Sequence, residues 1–130
     1  MRVRMKLSRI TVLAFHEFRR IKYEGEELKP SNGYVLNSAY EMLLPKLNVI
    51  DWQAVNKKYI PNVSDNKDVT ITKISTTLNM KESISQGIDD LQNLFKRDFD
   101  TDRVFKSFVV KLILFAAILD LNGELPLKKG

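Results

Sequence analysis

The chain contains no cysteine, and its apolar residues form no run long enough to span a membrane. Without cysteine, neither a disulfide framework nor a thiolate metal site can form, which is consistent with a reducing cytoplasm. The longest unbroken apolar run, residues 112–119, is much shorter than the roughly 20 residues that a spanning helix needs. Glu17, Arg19 and Arg20 interrupt the N-terminal region before an apolar signal segment could form. We therefore expect a cytoplasmic protein with no membrane partner.

Residues that could support catalysis are also scarce. His16 is the only histidine, and the chain offers no second histidine or cysteine from which an activated nucleophile could be built. The scattered glycines make no phosphate-cradling loop. The neighbouring carboxylates Glu26 and Glu27, like Asp89 and Asp90, would point apart on a helix and solvate its surface. We therefore expect no enzyme, no cofactor and no metal site.

Positive charge is concentrated at one end of the chain. The net charge is +5, and residues 1–30 hold eight Lys or Arg against four Glu, with no acid before Glu17. A local basic excess of this kind is typical of proteins that bind a polyanion, most often nucleic acid. The alternative is that the excess is the ordinary solubility charge of a small basic protein.

Residues 1–8 have the pattern of a strand with one buried face. Val3, Met5 and Leu7 alternate with cationic or hydroxyl side chains, which is the period of two expected for a strand. A lone strand is unstable in water, so this segment needs a partner. The best candidate is the β-branched segment 69–78, in whose latter half Ile74, Thr76 and Leu78 would face inward.

Helical spacing accounts for most of the remaining chain. We predict helices over residues 10–28 (with Gly25 fraying the end), 33–44 (ended by Pro45), 52–59 (capped by Asp51), 80–95 (capped by Asn79) and 102–121 (capped by Asp100 or Thr101). The last helix is apolar nearly all round and should lie at the centre of the core. The pattern is strand–helix–helix in residues 1–45, a connector over 46–68, strand–helix–helix in 69–122, and a frayed tail over 123–130.

Two short motifs stand out within this pattern, KISTTL (residues 73–78) followed by NMKE (79–82), and PSNGYV (30–35) ahead of Ala39. They resemble the strand and helix start, and the turn opening the second helix, of the ribbon-helix-helix family of DNA-binding proteins (the Arc, MetJ and CopG repressors). The resemblance implies a mainly α fold with a short two-stranded antiparallel ribbon that lies in the DNA major groove. Two units in one chain, sharing one core, are similar to the arrangement of TraY-type conjugation proteins.

The resemblance also implies a set of DNA contacts. Base edges would be read by the outward side chains of the two strands: Arg2, Arg4, Lys6, Ser8, Lys73, Ser75 and Thr77. Phosphates would be held at the starts of the second helices, at Ser31, Asn32 and Thr101. Because the first strand carries most of the cations, we expect a non-palindromic site. Asp100 and Asp102 would repel the DNA backbone near Thr101.

We therefore expect a sequence-specific binder of double-stranded DNA, either a relaxosome accessory protein of a plasmid or other mobile element, or a transcriptional repressor. Partners would include DNA, a relaxase or another DNA-processing protein, and a second copy bound through the apolar last helix. The alternative is a small helical protein-interaction module, such as a phage- or plasmid-encoded inhibitor, with the basic N-terminal segment as its docking arm. The two hypotheses differ in strand content, because only the first requires strands at residues 2–8 and 72–78.

Overall fold

A computed structural model of the chain describes residues 1–27 and 29–129. Within this part, the protein is mainly helical with one two-stranded antiparallel sheet. The elements in chain order are β1 (Arg2–Leu7), α1 (Arg9–Lys22), α2 (Asn32–Leu43), a 3₁₀-helix (Leu44–Val49), α3 (Trp52–Lys57), β2 (Ile74–Asn79), α4 (Glu82–Asp98) and α5 (Lys106–Leu121). The prediction of a mainly α fold with a short antiparallel ribbon is confirmed.

The two strands pair along their whole length. Arg2 lies opposite Asn79, Arg4 opposite Thr77, and Leu7 opposite Ile74. The segment 69–73, predicted as strand, is not part of the ribbon: β1 ends at Leu7, so no partner remains for residues beyond its register. Val69 accordingly lies 86% exposed.

Helix α5 lies at the centre of the core, as its composition predicts. It contacts α1, α2, α3, α4 and β1, and every residue from 112 to 119 is buried. The apolar side chains at its centre therefore pack against the rest of the same chain. Self-association through this helix stays a prediction.

Several helix boundaries differ from the predicted ones. Helix α1 ends at Lys22, because Tyr23 closes it and Gly25 follows with φ +86°; the predicted end, Leu28, lies outside the described residues. Asn79 does not cap α4, because it remains in β2 opposite Arg2. Helix α2, by contrast, ends at Leu43 just before Pro45 as predicted.

The start of α5 requires the largest correction. Asp100 adopts φ +48°, and the amide of Thr101 donates to the carbonyl of Lys96 (3.0 Å). This left-handed turn with its backbone bond ends α4 instead of opening α5. Helix α5 begins at Lys106, and Phe105 stands at its N-cap without a side-chain hydrogen bond.

The connector is part of the core. Asp51 caps α3 as predicted, accepting from the amide of Ala54 (3.1 Å). The buried residues of the connector are Ile50, Trp52, Val55, Ile60 and Val63. The predicted frayed tail is instead tied to the connector, because Leu127 forms a β-bridge with Ile50; Gly130 lies outside the described residues. None of the helices in residues 1–27 and 29–129 is long and apolar enough to cross a membrane.

Candidate nucleic-acid interface

One face of the ribbon is entirely polar. The period of two turns Val3, Met5 and Leu7 toward the helices and leaves the alternating residues in solvent. The outward residues, all exposed, are Arg2, Arg4 and Lys6 on β1 and Ser75, Thr77 and Asn79 on β2. Because the register sets each cation opposite a neutral hydrogen-bonding side chain, the face has one cationic edge and one neutral edge.

Within the described residues, the cations of this face form no ion pair with an acidic side chain. None of the ion pairs found among the described residues involves Arg2, Arg4 or Lys6. These three side chains therefore keep their charge and their hydrogen-bond donors available for a ligand outside the chain.

Helix α2 begins close to one end of the ribbon. Ser31 caps the helix, accepting from the amide of Tyr34 (3.2 Å), and Asn32 accepts a hydrogen bond from Arg19. A β-carbon added to Gly33 would lie 2.8 Å from the amide nitrogen of Asn79 and closer still to its carbonyl oxygen. Only glycine lets the first turn of α2 approach the strand this closely.

Helix α5 begins at the other end. A shallow cavity of about 510 Å³ there is lined by Arg4, Met5, Lys6, Ser75, Phe105, Lys106 and Ser107. Phe105 is 60% exposed, the guanidinium of Arg103 lies 4.8 Å from its ring centroid, and Lys106 pairs with Asp89 (3.4 Å). The outward face therefore has a helix N-terminus beside each of its ends.

The structure brings most of the predicted base-contacting residues together. Arg2, Arg4, Lys6, Ser75 and Thr77 share the outward face, as described above. Lys73 lies exposed just ahead of β2. Ser8 lies after the strand, where it caps α1 by accepting from the amide of Thr11 (3.3 Å).

The predicted phosphate-contacting residues divide into two groups. Ser31 and Asn32 lie at the start of α2, where they were expected. Thr101 belongs to the turn that ends α4, so it is not at the N-terminus of α5. The carboxylates of Asp100 and Asp102 lie in the same loop, ahead of the turn that begins α5.

Sequence reasoning missed residues at both ends of the face. Asn79 continues the alternation of Ser75 and Thr77, which was a signal for a strand residue. Its high propensity for the N-cap position led instead to the prediction that it caps α4. Phe105 to Ser107 carried no such signal, because an N-cap without a side-chain acceptor has no local signature.

Comparisons of the chain with protein-family models, with curated proteins and with solved structures give no match. The interpretation of the face therefore depends on its own geometry and chemistry.

Proposed function

We propose that the protein binds double-stranded DNA sequence-specifically, with the outward face of the β1–β2 ribbon in the major groove. The observation that carries this proposal is the in-register pairing of β1 with β2, which places Arg2, Arg4 and Lys6 on one exposed face. Arg and Lys donate to O6 and N7 of guanine, and the hydroxyl and amide groups opposite them can pair with other bases.

The dimensions of the ribbon fit this use. Two paired strands lie about 5 Å apart, and the major groove of B-DNA is about 12 Å wide and admits a two-stranded ribbon. The apolar side of the ribbon packs on the helices, so the backbone that carries the outward side chains is held in place. A rigid support reduces the side-chain and loop ordering that binding would otherwise require.

The surroundings of the ribbon support a tandem ribbon-helix-helix arrangement. Strand, helix, helix occurs twice in the chain, and the second helix of each set, α2 or α5, begins beside a different end of the ribbon. Backbone N–H groups at such helix starts suit phosphates flanking the groove. In the second unit, the residues at the start of the helix are Phe105, Lys106 and Ser107, so these residues and not Thr101 would lie nearest a flanking phosphate.

The chemistry of the ribbon suits two biological roles. A relaxosome accessory protein and a small repressor both require sequence-specific binding of duplex DNA, and the ribbon serves either. The helical interaction module, which requires almost no strand at residues 2–8 and 72–78, leaves β1 and β2 unexplained.

The first experiment removes two cations from the face. The double variant Arg4→Ala, Lys6→Ala should lose roughly 30-fold or more in affinity for duplex DNA, at about 1–3 kcal/mol for each base contact. It should also show a smaller dependence of affinity on salt. Titrations at two salt concentrations would use DNA from immediately upstream of the protein's own gene, with scrambled duplex as competitor.

The matched control is Lys57→Ala, Lys58→Ala, which removes the same charge from exposed positions at the end of α3. The control should lose much less affinity than the ribbon variant, and both variants should keep the wild-type circular dichroism spectrum. Equal losses of affinity in the two variants would indicate that the ribbon cations contribute only through the overall positive charge of the protein. Unchanged binding by the ribbon variant would refute the proposal.

A further inference from the structure

The distribution of charge across the ribbon is polarised. All three cations within the paired strands belong to β1, and their cross-strand partners on β2 are neutral: Asn79 for Arg2, Thr77 for Arg4 and Ser75 for Lys6. Lys73 lies outside this pairing, just ahead of β2. A ribbon made from two copies of one strand would have the same side chains on both edges. Here the two edges differ in charge at every outward position.

The groove restricts how such a ribbon can lie. A six-residue strand is about 20 Å long, at roughly 3.4 Å per residue, which exceeds the groove width of about 12 Å. The strands must therefore run along the groove, side by side across its width. In that position β1 is closer to one DNA strand, and β2 is closer to the other.

The chemistry of the two edges then differs between the two DNA strands. Arg and Lys favour guanine, because its O6 and N7 atoms are both acceptors. Asparagine favours adenine, and Ser or Thr hydroxyls can hydrogen-bond to several bases. Arg2 and Lys6 are four residues apart, or about 14 Å. This distance covers about four base pairs, since B-DNA rises about 3.4 Å per pair along one strand.

We propose that the target duplex carries its guanines on one strand over about four base pairs, read by Arg2, Arg4 and Lys6. The facing strand is read by Ser75, Thr77 and Asn79 with looser base preference. The inference rests on the proposed function and deepens it, because it specifies a strand-biased, guanine-rich class of site and the orientation of the protein upon it.

The test begins with selection from a random-core duplex library. The wild-type protein should enrich cores whose guanines lie on one strand. The informative variant exchanges one cross-strand pair, Arg4→Thr with Thr77→Arg, which keeps the composition, net charge and register of the face. In the cores that this variant enriches, the central guanine should move to the opposite strand while the outer guanines stay.

A second measurement uses the enriched wild-type core with 7-deazaguanine, which lacks the N7 acceptor. Substitution on the guanine-rich strand should lower affinity by about tenfold, equivalent to about 1.4 kcal/mol. The same substitution at the guanines of the other strand should change affinity less than twofold. Lys57→Ala, an exposed lysine outside the ribbon, serves as the control variant and should enrich the wild-type core.

The outcomes distinguish failure of the strand-biased site from failure of DNA binding itself. The proposal of a strand-biased site would be overturned, with DNA binding intact, by any of three results. These are palindromic cores, guanines divided equally between the strands, or a central guanine that stays in place in the exchanged variant. Failure of the wild-type protein to enrich any core would overturn the proposed function, and this inference with it.

Discussion

The close contact between α2 and β2 allows us to predict how much Gly33→Ala destabilises the protein. The added methyl group would lie 2.8 Å from the amide nitrogen of Asn79 and closer still to its carbonyl oxygen. Both atoms belong to the backbone of a paired strand, so α2 must move away from the ribbon by a sizeable fraction of an ångström. Overpacking of this kind costs about 1–3 kcal/mol, while the better helix propensity of alanine offsets about 0.5–1 kcal/mol.

We therefore expect Gly33→Ala to lower the free energy of unfolding by about 1–2 kcal/mol, a drop in Tm of roughly 3–8 °C for a domain of this size. Thermal unfolding followed by circular dichroism measures the change. Ser83→Ala, at an exposed position in the first turn of α4, reports the effect of alanine without a backbone neighbour. A Tm for Gly33→Ala equal to or above that of the wild-type protein would refute the reasoning.

Three further predictions concern other sites. Gly87→Ala would place its methyl group 3.0 Å from Cε2 of Tyr40 and closer still to the hydroxyl, so it should destabilise the protein, and adding Tyr40→Leu should restore part of the Tm; no recovery would refute the steric cause. Trp52→Phe should cost less than about 1.5 kcal/mol, well below the 3–5 kcal/mol typical of truncating an aromatic residue to alanine. The buried Nε1 has no hydrogen-bond partner among the described residues, so the substitution removes an unpaired donor; a loss above about 3 kcal/mol in denaturant titrations would contradict this. Partial burial of His16, together with the positive charges of Arg19 and Lys29, lowers the pKa of this histidine in the folded protein. Neutral His16 therefore contributes its full stability above the ordinary histidine pKa of about 6.5, and this contribution is lost as pH falls through the lower pKa of the folded state. Unfolding midpoints from pH 7 to about pH 5 should therefore fall more for the wild-type protein than for His16→Gln, and parallel curves would argue against it.

Local alternation was sufficient to predict the ribbon. Apolar and polar residues alternate without error in β1, and the same period in Ile74, Thr76 and Leu78 predicted which side of β2 faces the helices. The pattern could not show where pairing stops. Residues 69–73 are rich in β-branched side chains, but β1 is too short to pair with them.

The errors occurred where tertiary structure overrides a local preference. Asn79 is a good N-cap residue, but hydrogen bonding to β1 keeps it in the strand. Asp100 and Thr101 also have side chains that could cap a helix, but the left-handed conformation of Asp100 and the backbone bond from Thr101 to Lys96 make these residues the end of α4 instead. The close approach of Gly33 to β2 depends on how two distant segments pack, so no local pattern encodes it.

The separation of the two strands along the chain has a consequence for biosynthesis. At about 5–20 residues per second, roughly 4–15 s pass between the emergence of β1 and that of β2. Throughout that interval β1 has an apolar face and unpaired backbone groups, which are the features through which nascent chains aggregate. Arg2, Arg4 and Lys6 alternate with the apolar residues of this strand, and cations in such positions oppose association between identical edges. The side chains that we propose read DNA would thus first protect the growing polypeptide on the ribosome.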